Sequence, residues 1–123
     1  MRFDHVNIRT ARLAEMRAWY ATVLGLEDGW RPPFAFDGAW MYANDQALVH
    51  LVEVEREPGS DPADLKLEHF AFAASDLIEF RQRLADHGVQ AVERRVPGTD
   101  ILQLNIRDPD GNHIHVDFKV NAG

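Results

Sequence analysis

The sequence predicts an α+β fold made of two copies of a βαβββ module, their sheets curving into a polar cup. Three observations carry this: an internal repeat, a shared order of element types in each half, and polar breaks where the elements should end. Residues 3–23 align with residues 67–87. Phe3-Asp4-His5-Val6 then falls on Leu67-Glu68-His69-Phe70, and Leu13, Glu15, Arg17 and Ala21 meet Leu77, Glu79, Arg81 and Ala85. Nearer the ends of the halves, Asp45 to Leu51 runs against Asp110 to Val116. A period this long marks a duplicated structural unit.

Each half opens with a strand. Residues 3–9 place Phe3, His5, Asn7 and Arg9 on one side and Asp4, Val6 and Ile8 on the other, the period-2 pattern of a two-faced sheet. Residues 67–74 repeat it, with His69, Ala71 and Ala73 opposite Glu68, Phe70 and Phe72. A helix follows in both halves. Leu13, Met16, Trp19, Tyr20, Val23 and Leu24 form one apolar stripe, and Leu77, Phe80 and Leu84 form the other, with Ser75 or Asp76 placed to cap it. Gly25 and Gly88 stand where a helix ends in a left-handed residue.

Three further strands are expected per half, at 27–31, 38–43 and 47–54, then 89–95, 100–107 and 112–119. Asp108-Pro109-Asp110-Gly111-Asn112 is turn chemistry joining the last two. The polar run from Glu55 to Pro62 reads as the connection between halves. The expectation is one domain of residues 1–123: module one at 1–54, a linker at 55–65 and module two at 66–119.

Composition narrows the function. The 27% charged and 46% apolar content is that of an ordinary globular chain, and a net charge of −7 gives nucleic acid or an anionic membrane nothing to bind. No apolar stretch approaches the ~20 residues that span a bilayer. With no cysteine there is neither a disulfide nor a thiolate metal site, which fits a cytoplasmic location.

The chemistry lies in the histidines. Four of the six occupy repeat-equivalent places: His5 with His69 on the first strands, and His50 with His115 on the last. Strand parity puts them on the face away from the helices, together with Asn7, Arg9, Gln103, Asn105, Arg107, His113 and Asp117. Such a face is either flat and solvated or curved around a polar cavity, and converging imidazoles favour the cavity. His5, His50, His69 and His115 are therefore the expected metal ligands. His87, at a helix C-terminus, reads as structural.

These residues carry a resemblance. Asp4-His5-Val6, Ala18-Trp19-Tyr20 followed by Leu24-Gly25-Leu26, Glu68-His69-Phe70-Ala71-Phe72, and Asp108-Pro109-Asp110-Gly111-Asn112 are similar to the vicinal oxygen chelate superfamily, the glyoxalase, bleomycin-resistance and extradiol dioxygenase group. The resemblance covers nearly the whole chain. It implies ligands from the first and last strand of each module, a small-molecule substrate, and a homodimer with each site held within one chain or shared between subunits. One departure stands out. Metal-dependent relatives usually carry Glu in the last strand, where this chain has His115, and His50 is its counterpart.

An all-imidazole site leaves the charge of a dication uncompensated and pushes bound water toward a pKa of roughly 7. Imidazole suits Zn, Fe, Ni and Cu about equally and argues against Mg and Ca; the expected cofactor is a divalent ion, Zn, Fe, Ni or Mn. With no ligand carboxylate to move protons, Asp117 is expected to act as base or to hold His115 in its tautomer, and Tyr42 is a second proton-handling candidate. Arg9, Trp40, Asn105 and Arg107 are the expected substrate contacts. The leading function is a glyoxalase-like lyase or isomerase, or a ring-cleaving dioxygenase. The alternative is a metal-independent drug-binding protein of the same fold, supported by the aromatic residues Trp30, Phe34, Phe36 and Trp40.

Overall fold

The computed structural model describes residues 1–121, so the last two residues of the expected 1–123 domain lie outside the described residues. Module one runs β1 (Val6–Thr10), α1 (Leu13–Thr22), β2 (Glu27–Gly29), β3 (Gly38–Ala43) and β4 (Gln46–Glu53). Module two runs β5 (His69–Ala73), α2 (Leu77–Asp86), β6 (Val92–Arg95), β7 (Ile101–Arg107) and β8 (His113–Lys119). The sheets have the orders β1-β4-β3-β2 and β5-β8-β7-β6. In each, the first strand pairs parallel with the last, and the remaining pairs are antiparallel. The duplicated βαβββ architecture predicted from sequence is the one found. The two compact units divide between Ser60 and Asp61, inside the expected linker.

Apolar stripes build each core as expected. Leu13, Met16, Tyr20 and Val23 of the first helical segment are buried with Met41, Val49 and Leu51 from its sheet. Phe80 and Leu84 of α2 are buried, as are Leu104, Ile106, Ile114, Val116 and Phe118 of β7 and β8. Truncating one such residue to alanine costs about 2–5 kcal/mol, because the void does not fully collapse. Asp76 caps α2, its carboxylate accepting from the Glu79 N–H at 3.1 Å. Gly25 and Gly88 both adopt positive φ, +72° and +65°, where a side chain would strain the helix exit.

Six strands are shorter than expected, β7 and β8 by one residue each at their starts. β1 and β5 begin at Val6 and His69, where pairing to Val49 and His113 starts. β2 stops at Gly29, ahead of the Pro32-Pro33 break, because its partner pairing ends at Trp40. β6 starts at Val92 because the Val89 N–H is taken by the Leu84 carbonyl in closing α2. The turn before β8 is organised by Asp108, whose Oδ1 accepts from the N–H groups of Asp110 and Asn112 and whose Oδ2 accepts from the Asn112 amide.

The duplication extends to an ion pair from helix to edge strand. Arg17 of α1 bonds Asp28 of β2, and Arg81 of α2 grips Glu93 of β6 with two bonds of 2.9 and 2.6 Å. The second pair fixes which way β6 faces. Glu93 points to the helix, so Val92 and Arg94 take the opposite side. The bond to Arg81 holds the Glu93 carboxyl below its ordinary range. Its contribution is therefore present above the unfolded carboxylate range and lost as pH falls through the lower folded value. Both side chains are more than a third exposed, so Glu93→Gln should cost less than about 1 kcal/mol near neutrality. Urea unfolding at neutral and acid pH checks this: the difference from wild type should vanish in acid, and an equal deficit at both would contradict it.

Candidate functional site

On module one, His5 lies just before β1 and His50 lies on β4, where the register sets it between Asn7 and Trp40. The His5 and His50 rings stack at 3.8 Å with planes 8° apart, and Trp40 covers the other face of His50 at 4.0 Å and 14°. His5 Nδ1 meets Asp4 Oδ2 at 2.7 Å. Burial lowers the His50 pKa, and the neighbouring His5 adds to the effect. Next to this stack is a cavity of about 540 Å³ whose lining includes Asp4, Trp40, Tyr42 and Gln46. The Tyr42 ring lies over Gly29, where an added Cβ would come within 2.6 Å of it. Its hydroxyl donates to the Trp30 carbonyl at 2.5 Å.

On module two, register sets three polar rows across the sheet. His69, His113 and Arg107 form one, Ala71, His115 and Asn105 the next, and Ala73, Asp117 and Gln103 the third. The small side chains of Ala71 and Ala73 leave room beside His115 and Asp117. His115, 6% exposed, bonds Asp117 Oδ1 through Nδ1 at 2.6 Å. His69 Nδ1 meets Glu68 Oε2 at 2.9 Å, and the same oxygen meets His113 Nδ1 at 2.7 Å. His113 Nε2 bonds Asn105 Oδ1 at 2.8 Å, while the Asn105 amide donates to the Val92 carbonyl. The His69 and His115 rings are 4.5 Å apart with planes at 44°.

One arrangement recurs at four rings: a carboxylate sits on Nδ1 of His5, His69, His113 and His115, with Glu68 serving both His69 and His113. Each carboxylate accepts from a ring nitrogen, so a neutral ring carries its proton on Nδ1; at His5, His69 and His115 this leaves the Nε2 lone pair as the donor. This is the second-sphere arrangement that orients metal-bound imidazoles. The sequence reading did not single out Asp4 and Glu68, although an acid directly precedes both repeated histidines. It placed His113 on the polar face without seeing the bonds that hold it.

The donor set fits a divalent ion unevenly. The planes of His69 and His115 are inclined at 44°, so this pair is not barred by stacking from sharing an ion. The His5 and His50 planes are nearly parallel at stacking distance. An imidazole lone pair lies in its ring plane and metal–nitrogen bonds are about 2.0–2.1 Å, so both cannot serve one ion without unstacking. Among the described residues, Glu68, His69 and His113 also place three possible donor atoms within 4.8 Å of one another. The remaining expected residues are dispersed. Arg9 is exposed on β1, and Arg107 donates to the Gly111 carbonyl at 3.0 Å. Trp30, Phe34 and Phe36 are exposed, with the Arg31 guanidinium over both phenylalanine rings.

The sequence model of the Glyoxalase/Bleomycin resistance protein/Dioxygenase superfamily matches residues 2–116. The chain belongs to this superfamily. Solved structures agree on the fold. A candidate glyoxalase family protein of Bacillus anthracis is 24% identical with a TM-score of 0.78, covering 97% of this chain and 95% of its own. Lactoylglutathione lyase of Agrobacterium tumefaciens is 23% identical at 0.68, covering 95% and 92%. A genomically encoded fosfomycin resistance protein of Listeria monocytogenes is 14% identical at 0.68, covering 96% and 93%. A search of curated proteins finds no match. Among the described residues of this superfamily member, no helix is long and apolar enough to cross a membrane.

The doubly bonded Glu68 gives a pH test. Its carboxyl is held below its ordinary range, first by the bond to His113 and then by the bond to His69. The charged form is thus favoured in the fold, and the bonds are lost as pH falls through the lowered value. Carbon-13 NMR should show Glu68 titrating below an ordinary glutamate. His113→Ala should return it upward more than His69→Ala does; no movement in either variant would contradict the network.

Proposed function

We propose that the protein is a divalent-metal enzyme acting on a small substrate that chelates through adjacent oxygens. The reaction is of the glyoxalase-like lyase or isomerase type, with extradiol-type oxygenation as its neighbour in chemistry. What supports this is the inclined His69–His115 pair, each ring held through Nδ1 by a carboxylate: Asp117 for His115, and Glu68, shared with His113, for His69. His69 and His115 are the ligands module two supplies in this reading; His5 and His50 are those expected of module one, His50 only by leaving its stack with Trp40. The ion is Zn, Fe, Ni or Mn, since imidazole donors do not separate these. When bound, it supplies Lewis acidity toward the substrate oxygens and lowers the pKa of bound water.

The chain's own residues do the rest. Asp117 accepts the His115 Nδ1 proton and is the carboxylate proposed to act as base. Tyr42 handles protons only after giving up the Trp30 carbonyl. Trp40 walls the module-one cavity, and Arg9, Asn105 and Arg107 orient substrate oxygens. Modules 1–54 and 66–119 act as one domain, and the protein works as a homodimer.

A second reading rests on the exposed aromatic group of Trp30, Phe34 and Phe36 beside Trp40: a metal-independent binding protein for a planar apolar ligand. Metal titration by calorimetry, using Zn, Ni and Mn on chelator-treated protein, separates the two. The metal reading expects one ion per chain. His69→Ala and His115→Ala should lose at least about 100-fold in affinity, and Asp117→Asn about 10- to 100-fold, as for other second-sphere partners. His50→Ala should lose less than threefold. Absence of binding would leave the binding-protein reading. Loss in His113→Ala with none in His115→Ala would transfer the site to Glu68, His69 and His113.

A further inference from the structure

A cavity of about 540 Å³ opens on module two beside the edge strand β6. Its lining includes Arg94, Arg107, Gln90, Asn105 and His113, with Val92 among its apolar parts. Placement follows from pairing. Arg94 sits opposite Gln103 and Val92 opposite Asn105, on the polar face that also carries Arg107. Gln103 and Arg107 are four residues apart, or roughly 13 Å along the strand. Two guanidiniums therefore flank the Val92–Asn105 row.

The charge balance of this cavity differs from that of the chain. The protein has net charge −7; Arg2, Arg12, Arg17, Arg81 and Arg83 each face a carboxylate, while Arg9, Arg31, Arg56 and Arg95 form no carboxylate ion pair among the described residues. Among the described residues, Arg94 and Arg107 likewise have no carboxylate partner, and no carboxylate lines the cavity. The carboxylate nearest in sequence, Glu93, is turned to the helix side and committed to Arg81 through two bonds. Glu68 spends one oxygen on His113 and His69. Arg107 uses one nitrogen on the Gly111 carbonyl and keeps its other donors. His113 presents no free ring nitrogen, since Glu68 and Asn105 take both.

We propose that this cavity is an oxyanion subsite that takes the carboxylate or phosphate group of a small organic substrate. Arg94 and Arg107 are its charged donors, Asn105 and Gln90 its neutral ones, and Val92 an apolar contact for the carbon skeleton. Guanidinium donors match the planar fork of such groups. The proposal deepens the enzyme reading by giving its substrate a charge. Oxyanion binding itself needs only the arginines, so the two fail separately.

Calorimetric titration of the full chain with inorganic phosphate, before and after chelator treatment, tests it. One saturable site per chain is expected in both samples, weakened by added chloride. Arg94→Gln and Arg107→Gln should each reduce phosphate affinity about tenfold, the size of one charge-assisted hydrogen bond. Arg56→Gln, in the polar linker, should change it less than twofold, and His69→Ala should leave it intact while removing metal. No saturable binding, or equal effects of Arg94→Gln and Arg56→Gln, would overturn the subsite. Loss of phosphate in His69→Ala with retention in Arg94→Gln would overturn it too, by locating the anion at the histidines. Circular dichroism of each variant identifies any that fails to fold, and Arg94→Lys then substitutes as the milder change, expected to weaken binding less than Gln.

Discussion

A carboxylate bonded to the Nδ1 edge of a histidine is the interaction on which the functional account depends. It recurs at Asp4–His5, Glu68–His69 and Asp117–His115, over distances of 2.6–2.9 Å. A free imidazole in water exchanges tautomers and rotates about its side-chain bonds. A charged acceptor on one nitrogen stops both and turns the other nitrogen into a fixed donor. Without those bonds the same four strands would carry only loosely aimed polar rings.

The sheets make the bonds possible. Because the first strand of each module runs parallel to the last, residues far apart in sequence share one row, as His69 and His113 do across β5 and β8. The helices cover the opposite face and absorb the apolar residues, which leaves the polar face free for chemistry. The two modules then diverge. Module one closes its pair into a three-ring stack of His5, His50 and Trp40, a geometry suited to packing and poorly suited to joint ligation. Module two tilts its pair and surrounds it with acids and an amide, a geometry suited to binding a cation. Duplicated sequence positions have thus acquired unlike environments, and Trp40 is a main reason: its counterpart row in module two carries the smaller Asn105.

Most of the fold was legible because its signals are local or periodic. Alternation in 3–9 and 67–74, the helix stripes, and the turn at Asp108 each follow from neighbouring residues. The strand ends were misjudged by one to three residues, since they depend on where a distant partner strand begins. Strand parity also named the face holding the candidate ligands. What stayed out of reach depends on side-chain direction. Nothing in the spacing of His5 and His50 says that their rings stack, nor that Glu68 serves two histidines at once. Asp4 and Glu68 were visible as aligned residues, but parity assigns them to the other face. They reach their histidines because each precedes its strand and so escapes the strict alternation of the pleat.

The central claim concerns where three protons sit, and long-range nitrogen-15 correlation NMR on the histidine rings reads this directly. Recorded on metal-free protein at a pH where the imidazoles are neutral, it should show His5, His69 and His115 with the proton on Nδ1 and a bare Nε2. Rings protonated on Nε2, or averaging freely between the two forms, would mean the acids do not hold them and would remove the basis for a metal centre.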